Sequence, residues 1–324
     1  MPFVSIVVPC YRAKEYISPT LAAFAAQTYR DFEVILVDDA SPDDTYDFLL
    51  AQVSAYDYPI RVLKNPKNTG PAGARNLGTS VSEASYIAFC DSDDTYTPDF
   101  LAKMVASATE NDADMVFCNH KKVTPEGDEI AKTAFPEGFA GANASKKEIL
   151  ALDADSLCTL LIRREIVIST SQPELRNGED MAVIPLMIMK SERFAFLDDC
   201  LYNYVCRPGS LSLSASEGAV RSLEASFAHI LAHKPEGFET EIEYLGIRNL
   251  IYGALLNHFK YTKDKKKPRE ILDSFEKSYP AWRKNPYIAD MPARKRLFLS
   301  FAKRRFFPGV RLLAYLHKRL TEKR

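Results

Sequence analysis

Phe3-Val4-Ser5-Ile6-Val7-Val8-Pro9 is a short, almost unbroken apolar run that stops at a proline and turns polar at Cys10-Tyr11-Arg12. A run with so little polar alternation predicts a strand covered on both faces. The pattern recurs at Phe32-Glu33-Val34-Ile35-Leu36-Val37-Asp38, at Ile60–Leu63, at Tyr86–Cys90 and at Met115–Cys118. Between these runs, Tyr16–Gln27, Asp44–Tyr56, Gly70–Ser80 and Asp99–Asn111 carry helical spacing, with Ser18 or Thr20 expected to cap the first helix and Ser41 or Asp43 the second. Strand and helix in alternation mean an α/β domain, a mostly parallel sheet with helices on both faces. In such sheets ligands bind beyond the carboxyl ends of the strands.

Outward from this core the chain changes character. Residues 119–215 are mixed, with a turn-rich stretch from Thr124 to Ala144, and from about Glu217 the pattern is helical. The expected division is a catalytic domain over 1–217 and a basic helical region over 218–324. The chain has 324 residues, 46% hydrophobic and 26% charged, which excludes bulk disorder, a collagen-like repeat and a small disulfide scaffold. Met181–Met189, its longest apolar run, is too short to span a bilayer and holds Pro185. Met1-Pro2-Phe3-Val4 enters the first strand with no basic segment or cleavage site, so no secretory leader is expected. The six cysteines, at 10, 90, 118, 158, 200 and 206, form no CxxC pair and read as reduced, packed thiols of a cytosolic protein. The net charge of −1 hides a polarity: residues 260–324 hold 20 Lys and Arg against 6 Asp and Glu, and residues 1–259 hold 22 against 37. A basic tail on an acidic body predicts that the tail meets something anionic.

The strand ends carry the chemistry. The first ends at Pro9-Cys10-Tyr11-Arg12, the second at Asp38-Asp39-Ala40-Ser41 and the fourth at Asp91-Ser92-Asp93-Asp94. Turns and caps favour these residue types anywhere, but their position along one sheet edge favours a site. Asp91 and Asp93, two apart on an extended exit, point their carboxylates to one side. Hard oxygen donors without His or thiolate suit Mg²⁺ or Mn²⁺ shared with a phosphate. An EF-hand is excluded, since Tyr96 and Ala102 stand where that loop needs Gly and Glu. Asn68-Thr69-Gly70-Pro71-Ala72-Gly73-Ala74-Arg75-Asn76 is a loop opening a helix, where backbone amides favour anions and Arg75 adds a fixed cation. It holds neither GxGxxG nor GxxxxGK[ST], which argues against dinucleotide dehydrogenases and P-loop ATPases. Farther on, Asn177-Gly178-Glu179-Asp180 opens an apolar helix and Arg207-Pro208-Gly209-Ser210 follows a strand. Asp180 reads equally as a helix cap or a functional acid.

In this order and spacing the segments resemble the family-2 glycosyltransferases, inverting enzymes of the GT-A fold, over residues 3 to 212, and more narrowly the bacterial enzymes that glycosylate capsule, exopolysaccharide or teichoic acid. The resemblance implies that Pro9, Tyr11, Asp39, Asn68, Arg75, Asp91, Ser92 and Arg207 bind the nucleotide, Tyr11 stacking on uracil and Asp39 accepting its imide N–H. It implies Asp93, with Asp91, as the holder of Mn²⁺ or Mg²⁺, Glu179 and Asp91 beside the donor sugar, and Asp180 as general base. Relatives often carry more than one Arg in the segment that holds Arg207. The implied partners are a nucleotide-sugar donor, UDP-linked given the implied uracil contacts, and a glycan or polyprenyl-linked acceptor, without nucleic acid.

Two rival readings come from other classes. A sugar-nucleotide pyrophosphorylase would need a glycine-rich basic loop where Pro9-Cys10-Tyr11-Arg12-Ala13-Lys14 stands. A catalytically silent scaffold binding anionic polymer or membrane would not need acids at 91, 93 and 180. In the tail, Val310, Leu313, Leu316 and Leu320 fall on one helical face with Arg311 and Lys318 opposite. Residues 294–324 are expected either to dock on the anionic inner face of the cell membrane, placing the protein peripherally in the cytoplasm, or to pack on the body or a second subunit as a homo-oligomer.

Overall fold

The structure, a computed structural model, describes residues 1–136, 139, 144–152, 156–170, 173, 175, 178–207 and 216–321. It has two compact units, Met1–Lys146 with Ala154–Pro208 and Lys147–Asp153 with Gly209–Arg324. In the first, β1 (Val4–Cys10) runs parallel to β2 (Phe32–Asp38) on one side and to β4 (Tyr86–Phe89) on the other, with β3 (Ile60–Lys64) parallel outside β2. Ile6 pairs in register with Val34 and Ala88, all fully buried, as the unbroken apolar runs require.

Beyond β4 the sheet reverses. β5 (Thr95–Tyr96), β6 (Met115–Val123), β7 (Glu129–Lys132), β8 (Leu160–Arg163) and β9 (Phe194–Val205) complete it. The order is β3-β2-β1-β4-β8-β6-β9-β5, with β7 pairing β6. β8 is antiparallel to both neighbours, while β6 and β9 run parallel. The sheet is therefore mostly parallel, with an antiparallel insertion that the mixed stretch after residue 119 did not resolve.

The helices of this part are α1 (Ile17–Ala25), α2 (Thr45–Gln52), α3 (Gly70–Val81), α4 (Phe100–Glu110), α6 (Arg164–Ser169) and α7 (Glu179–Lys190), while α5 (Lys146–Ala151) belongs from Lys147 on to the second unit. α3 packs on β1 and β2. Gly78 permits this approach, because a Cβ there would lie 2.4 Å from Val7 Cγ1. The expected cap of α1 needs correction. Ser18 lies inside the helix, whose N-cap Tyr16 makes no side-chain cap bond. Thr20 Oγ1 bonds instead to the carbonyls of Ser92 and Asp94, at 3.1 and 2.8 Å, so it anchors the acidic turn. For α2, the Asp43 carboxylate accepts from Thr45 N. All six cysteines are free, four of them buried.

The second unit is helical among its described residues. α8 (Glu217–His233) starts where the sequence pattern turned helical, capped by Ser216 Oγ accepting from Ala219 N at 3.1 Å. α9 (Glu239–Gly246), a π-helix over Ile247–Ala254, α10 (Leu255–Tyr261), α11 (Lys266–Ser278), α12 (Ala293–Lys303) and α13 (Phe307–Thr321) follow. Val220, Ile251, Leu255, Leu272, Phe298 and Val310 form its core. Among the described residues no helix is long and apolar enough to cross a membrane.

Candidate active site

The polar residues gather at the carboxyl ends of β1, β2 and β4. Arg12 and Ala40, just past β1 and β2, hold left-handed backbone (φ 51° and 53°), which L residues seldom adopt away from sharp turns. Pro9 is the half-buried residue of β1, and Tyr11 is exposed beyond it with the Arg12 guanidinium 5.6 Å from its ring centroid.

Asp39 is buried and saturated with donors. Oδ1 accepts from Asn65 Nδ2 (2.7 Å), Thr69 N (3.0 Å) and Thr69 Oγ1 (3.0 Å), and Oδ2 accepts from Gly70 N (2.8 Å) and Thr69 N (3.1 Å). This carboxylate thus supplies the cap that α3 lacks locally, and it neutralises the positive end of that helix. Asn68 Nδ2 reaches the Asp39 carbonyl at 3.2 Å.

Arg75 is the hub of the site. Its helix turns the buried guanidinium to three carboxylates: Nη2 to Asp91 Oδ1 at 2.8 Å, Nη1 to Glu179 Oε1 at 2.8 Å and to Asp180 Oδ1 at 3.3 Å. Burial opposes the Arg75 charge, and Asp180, Asp91 and Glu179 more than offset it, so the cation is held firmly protonated. One cation against three anions leaves the cluster acidic. Asp180 Oδ2 accepts from Leu157 N at 3.1 Å, a bond to another segment that a cap of its own helix would not make. Burial raises the Asp180 carboxyl; Arg75 lowers it again, Glu179 and Asp91 raise it, and the outcome is about 7. Burial also pushes the neighbouring Cys158 thiol up, which favours its protonated form.

Asp93 pairs with Arg207, whose guanidinium lies 3.8 Å from the Tyr16 ring centroid. Asp94, the last acid of the turn, points inward: Oδ2 takes a 2.5 Å bond from Tyr202 Oη and Oδ1 a 2.7 Å bond from Val205 N. It ties the acidic turn after β4 to the end of β9, and so to Arg207. The structure therefore brings Arg75, Asp91, Glu179 and Asp180 into one cluster, Asp93 with Arg207 into a second, and Asp39 with Asn68 into a third. Ser92 joins through its carbonyl, which accepts from Thr20. Asn177 and Pro208-Gly209-Ser210 lie outside the described residues. The sequence assigned no role to Asn65, Thr69, Tyr16, Tyr202 or Asp94; Thr69 had a signal in Asn68-Thr69-Gly70 and Asp94 in Asp91-Ser92-Asp93-Asp94.

Residues 5–168 match the family model described as glycosyl transferase family 2. The chain belongs to that family. This family-2 glycosyltransferase is 29% identical over 222 residues, 68% of its own length and 86% of the relative's, to TuaG of Bacillus subtilis (strain 168), a glycosyltransferase named for teichuronic acid biosynthesis. It is 40% identical over 94 residues, 29% of its length and 36% of the relative's, to the Escherichia coli UDP-Glc:alpha-D-GlcNAc-diphosphoundecaprenol beta-1,3-glucosyltransferase WfaP. Its fold is that of S. aureus TarS 1-349, solved in complex with UDP-GlcNAc, with a TM-score of 0.66 at 21% identity over 98% of this chain and 91% of that one. The sheet with its covering helices is thus the GT-A architecture. A mannosyltransferase from Pyrobaculum calidifontis, solved with GDP-Man and Mn2+, shares it with a TM-score of 0.56 at 17% identity, over 100% of this chain and 88% of that one.

Proposed function

We propose that this glycosyltransferase is an inverting enzyme that moves a hexosyl or N-acetylhexosaminyl group from a UDP-sugar to a hydroxyl of a cell-envelope glycan or its polyprenyl-linked precursor. The observation that carries the reading is the Asp180 carboxylate. It is fixed by Arg75 and the Leu157 amide and poised near neutral pH in an acidic cluster at the strand ends. Such a group takes the proton of an acceptor hydroxyl as that oxygen attacks the anomeric carbon from the face opposite the nucleotide. Positive charge developing on the sugar in the oxocarbenium-like transition state is matched by Asp91 and Glu179, which outnumber the Arg75 cation even as Asp180 takes up the proton. Glu179, held by the same guanidinium, orients donor hydroxyls.

Tyr11, exposed at the edge, offers a face for uracil. Asp39 can accept its imide N–H if Thr69 Oγ1 gives up its bond, and Asn68 and Pro9 line that end. Arg207 and Ser92 face the diphosphate. The donors present suit a hard divalent ion, but Asp91 and Asp93 stand on a turn closed by Asp94 N on the Asp91 carbonyl and not on the extended exit expected; Asp91 Oδ1 is engaged by Arg75 and Asp93 by Arg207, which must release it to the ion. Among the described residues no group of three or more His, Cys, Asp or Glu could hold an ion unaided. Two carboxylates completed by phosphate oxygens and water suit Mn²⁺ or Mg²⁺. That ion, when bound, supplies charge neutralisation to the departing diphosphate. The names of WfaP and TuaG and the UDP-GlcNAc complex of TarS support the donor and acceptor classes, and an acceptor of that kind places the enzyme at the cytoplasmic face of the membrane.

The test is a panel of UDP-, GDP- and dTDP-sugars assayed for slow hydrolysis in Mn²⁺, in Mg²⁺ and in EDTA. UDP-sugar turnover lost in EDTA is expected. In Asp180→Asn, donor binding should persist while transfer falls roughly 10²–10⁴-fold. Near-native turnover in that variant would overturn the assignment of the base.

A further inference from the structure

The second unit carries a groove of about 850 Å³ between the end of α10 and α13, with a smaller one of about 300 Å³ continuing along α13. Lys260, Lys263 and Arg311 line the larger, and Lys318 and Arg319 the smaller, with no Asp or Glu among the residues lining either. Asp264, the carboxylate next in sequence to Lys263, turns away to accept from the amides of Lys266 and Lys267 at the start of α11. Arg294 and Lys295 of α12 add to the same positive field. Burial first, and then Lys260, Arg294 and Lys295, disfavour the protonated form of His317 on α13.

Between these cations stand apolar groups that folding has not buried. Leu312 is 57% exposed and Tyr315 48%, with Tyr261 beside them in the groove. Leu316 and Leu320 continue the exposed surface, whereas Val310 and Ala314 turn into the core. The helical face expected from the sequence is therefore split. Its first turn packs, and its later turns stay open beside the basic residues.

Large exposed side chains of this kind, rimmed by one sign of charge, mark an interaction surface. A second copy of the chain is a poor occupant, because a twofold contact would press these cations against their own images. An anionic bilayer matches both features. Its headgroup phosphates attract Lys and Arg, whose aliphatic stems lie along apolar surface, and the interfacial layer accommodates tyrosine rings and leucine. We propose that the groove between α10 and α13 docks this glycosyltransferase on an anionic lipid bilayer, with Lys260, Lys263 and Arg311 on headgroup phosphates and Tyr261, Leu312 and Tyr315 in the interfacial layer. The inference rests on the reading that the acceptor is membrane-linked, and it moves the contact from residues 294–324 at large to a site that includes residues 260–263.

The experiment is co-sedimentation of the full chain with phosphatidylcholine vesicles, with and without phosphatidylglycerol. Binding only to the anionic vesicles, lost on adding salt, is expected. Lys260→Gln/Lys263→Gln/Arg311→Gln should weaken it about 100-fold, from about fivefold for each cation removed. Leu312→Ser/Tyr315→Ser should weaken it as well, while Lys303→Gln/Arg304→Gln, exposed charges at the end of α12, should leave most binding in place. Vesicle binding that survives in the groove variants, or falls equally in the α12 variant, would overturn the proposal. So would inorganic polyphosphate that binds the groove as tightly as the vesicles do, or groove variants whose oligomeric mass at high salt, where charge-driven association is screened, differs from that of the wild type. UDP-sugar hydrolysis, measured on the same proteins, separates the two readings. Its absence in the wild-type chain would sink the enzymatic reading while leaving the vesicle result to judge the groove.

Discussion

Burial raises the Asp180 carboxyl, and the sign of its effect can be worked out. As a base it acts only when deprotonated, and burial has moved its carboxyl from 3.8 to about 7. UDP-sugar transfer should therefore fall about tenfold per pH unit below 7 and level off above it, measured as kcat/KM against pH. A flat acid limb down to pH 5 would place the base elsewhere. The same shift acts on stability in the opposite sense. The native state holds this proton between 3.8 and about 7 and the unfolded chain does not. The group's contribution is full below 3.8 and is lost as the pH rises to about 7. Asp180→Asn is thus expected to melt higher than the wild type at pH 8, with the gap closing toward pH 4. Activity and stability make opposite demands on this residue, as expected of a group buried for its chemistry.

At the scale of elements, Asp94 shows what local sequence can and cannot tell. The turn Asp91-Ser92-Asp93-Asp94 was legible because its acids are neighbours, but their direction was not: the turn sends Asp91 to Arg75 and Asp93 to Arg207 instead of to one side. Its supports were not. Arg75 meets Glu179 across 104 positions and Asp94 meets Tyr202 across 108, separations at which no periodicity operates. β1 and β2 were readable because both faces are buried and the apolar run is unbroken. β8, four residues long and reversed between two strands, offered no such signal. Asp94→Ala should strand the Tyr202 hydroxyl and the Val205 amide inside the fold, at a cost of about 1–3 kcal/mol for each buried group left unpaired. It should also free the end of β9 that carries Arg207. Thermal unfolding is expected to show the loss, and the KM for UDP-sugar should rise more than kcat falls. If both kinetic constants stayed native while the melting temperature dropped, Asp94 would be a support of the sheet with no hold on the donor end.

On the scale of the whole chain, the charge division read from the sequence persists, and the structure explains why it is tolerated. Residues 1–259 are net −15 and residues 260–324 net +14, yet the total is −1. Much of the acid in the first part is occupied: Asp39 holds the start of α3, Asp114 pairs with Arg163 and Arg193, and three carboxylates share Arg75. Some tail cations are likewise paired, Arg305 with Asp273 and Glu276. The residues lining the groove include no Asp or Glu, and that was not legible, because Lys260 and Arg311 come together only through the packing of α13 on α10. A nearly neutral chain with oppositely charged stretches has little net repulsion to keep copies apart. In the absence of membrane, association of the basic stretch of one copy with the acidic stretch of another is expected at low ionic strength. The Debye length of about 30 Å at 0.01 M salt lets these stretches attract, and about 3 Å at 1 M does not. Static light scattering should show the apparent mass falling toward that of one chain as NaCl rises, and Lys260→Gln/Lys263→Gln/Arg311→Gln should flatten the curve. An apparent mass that ignores both salt and these substitutions would mean that the charge of the tail is met within each molecule, and that its polarity has no outward consequence.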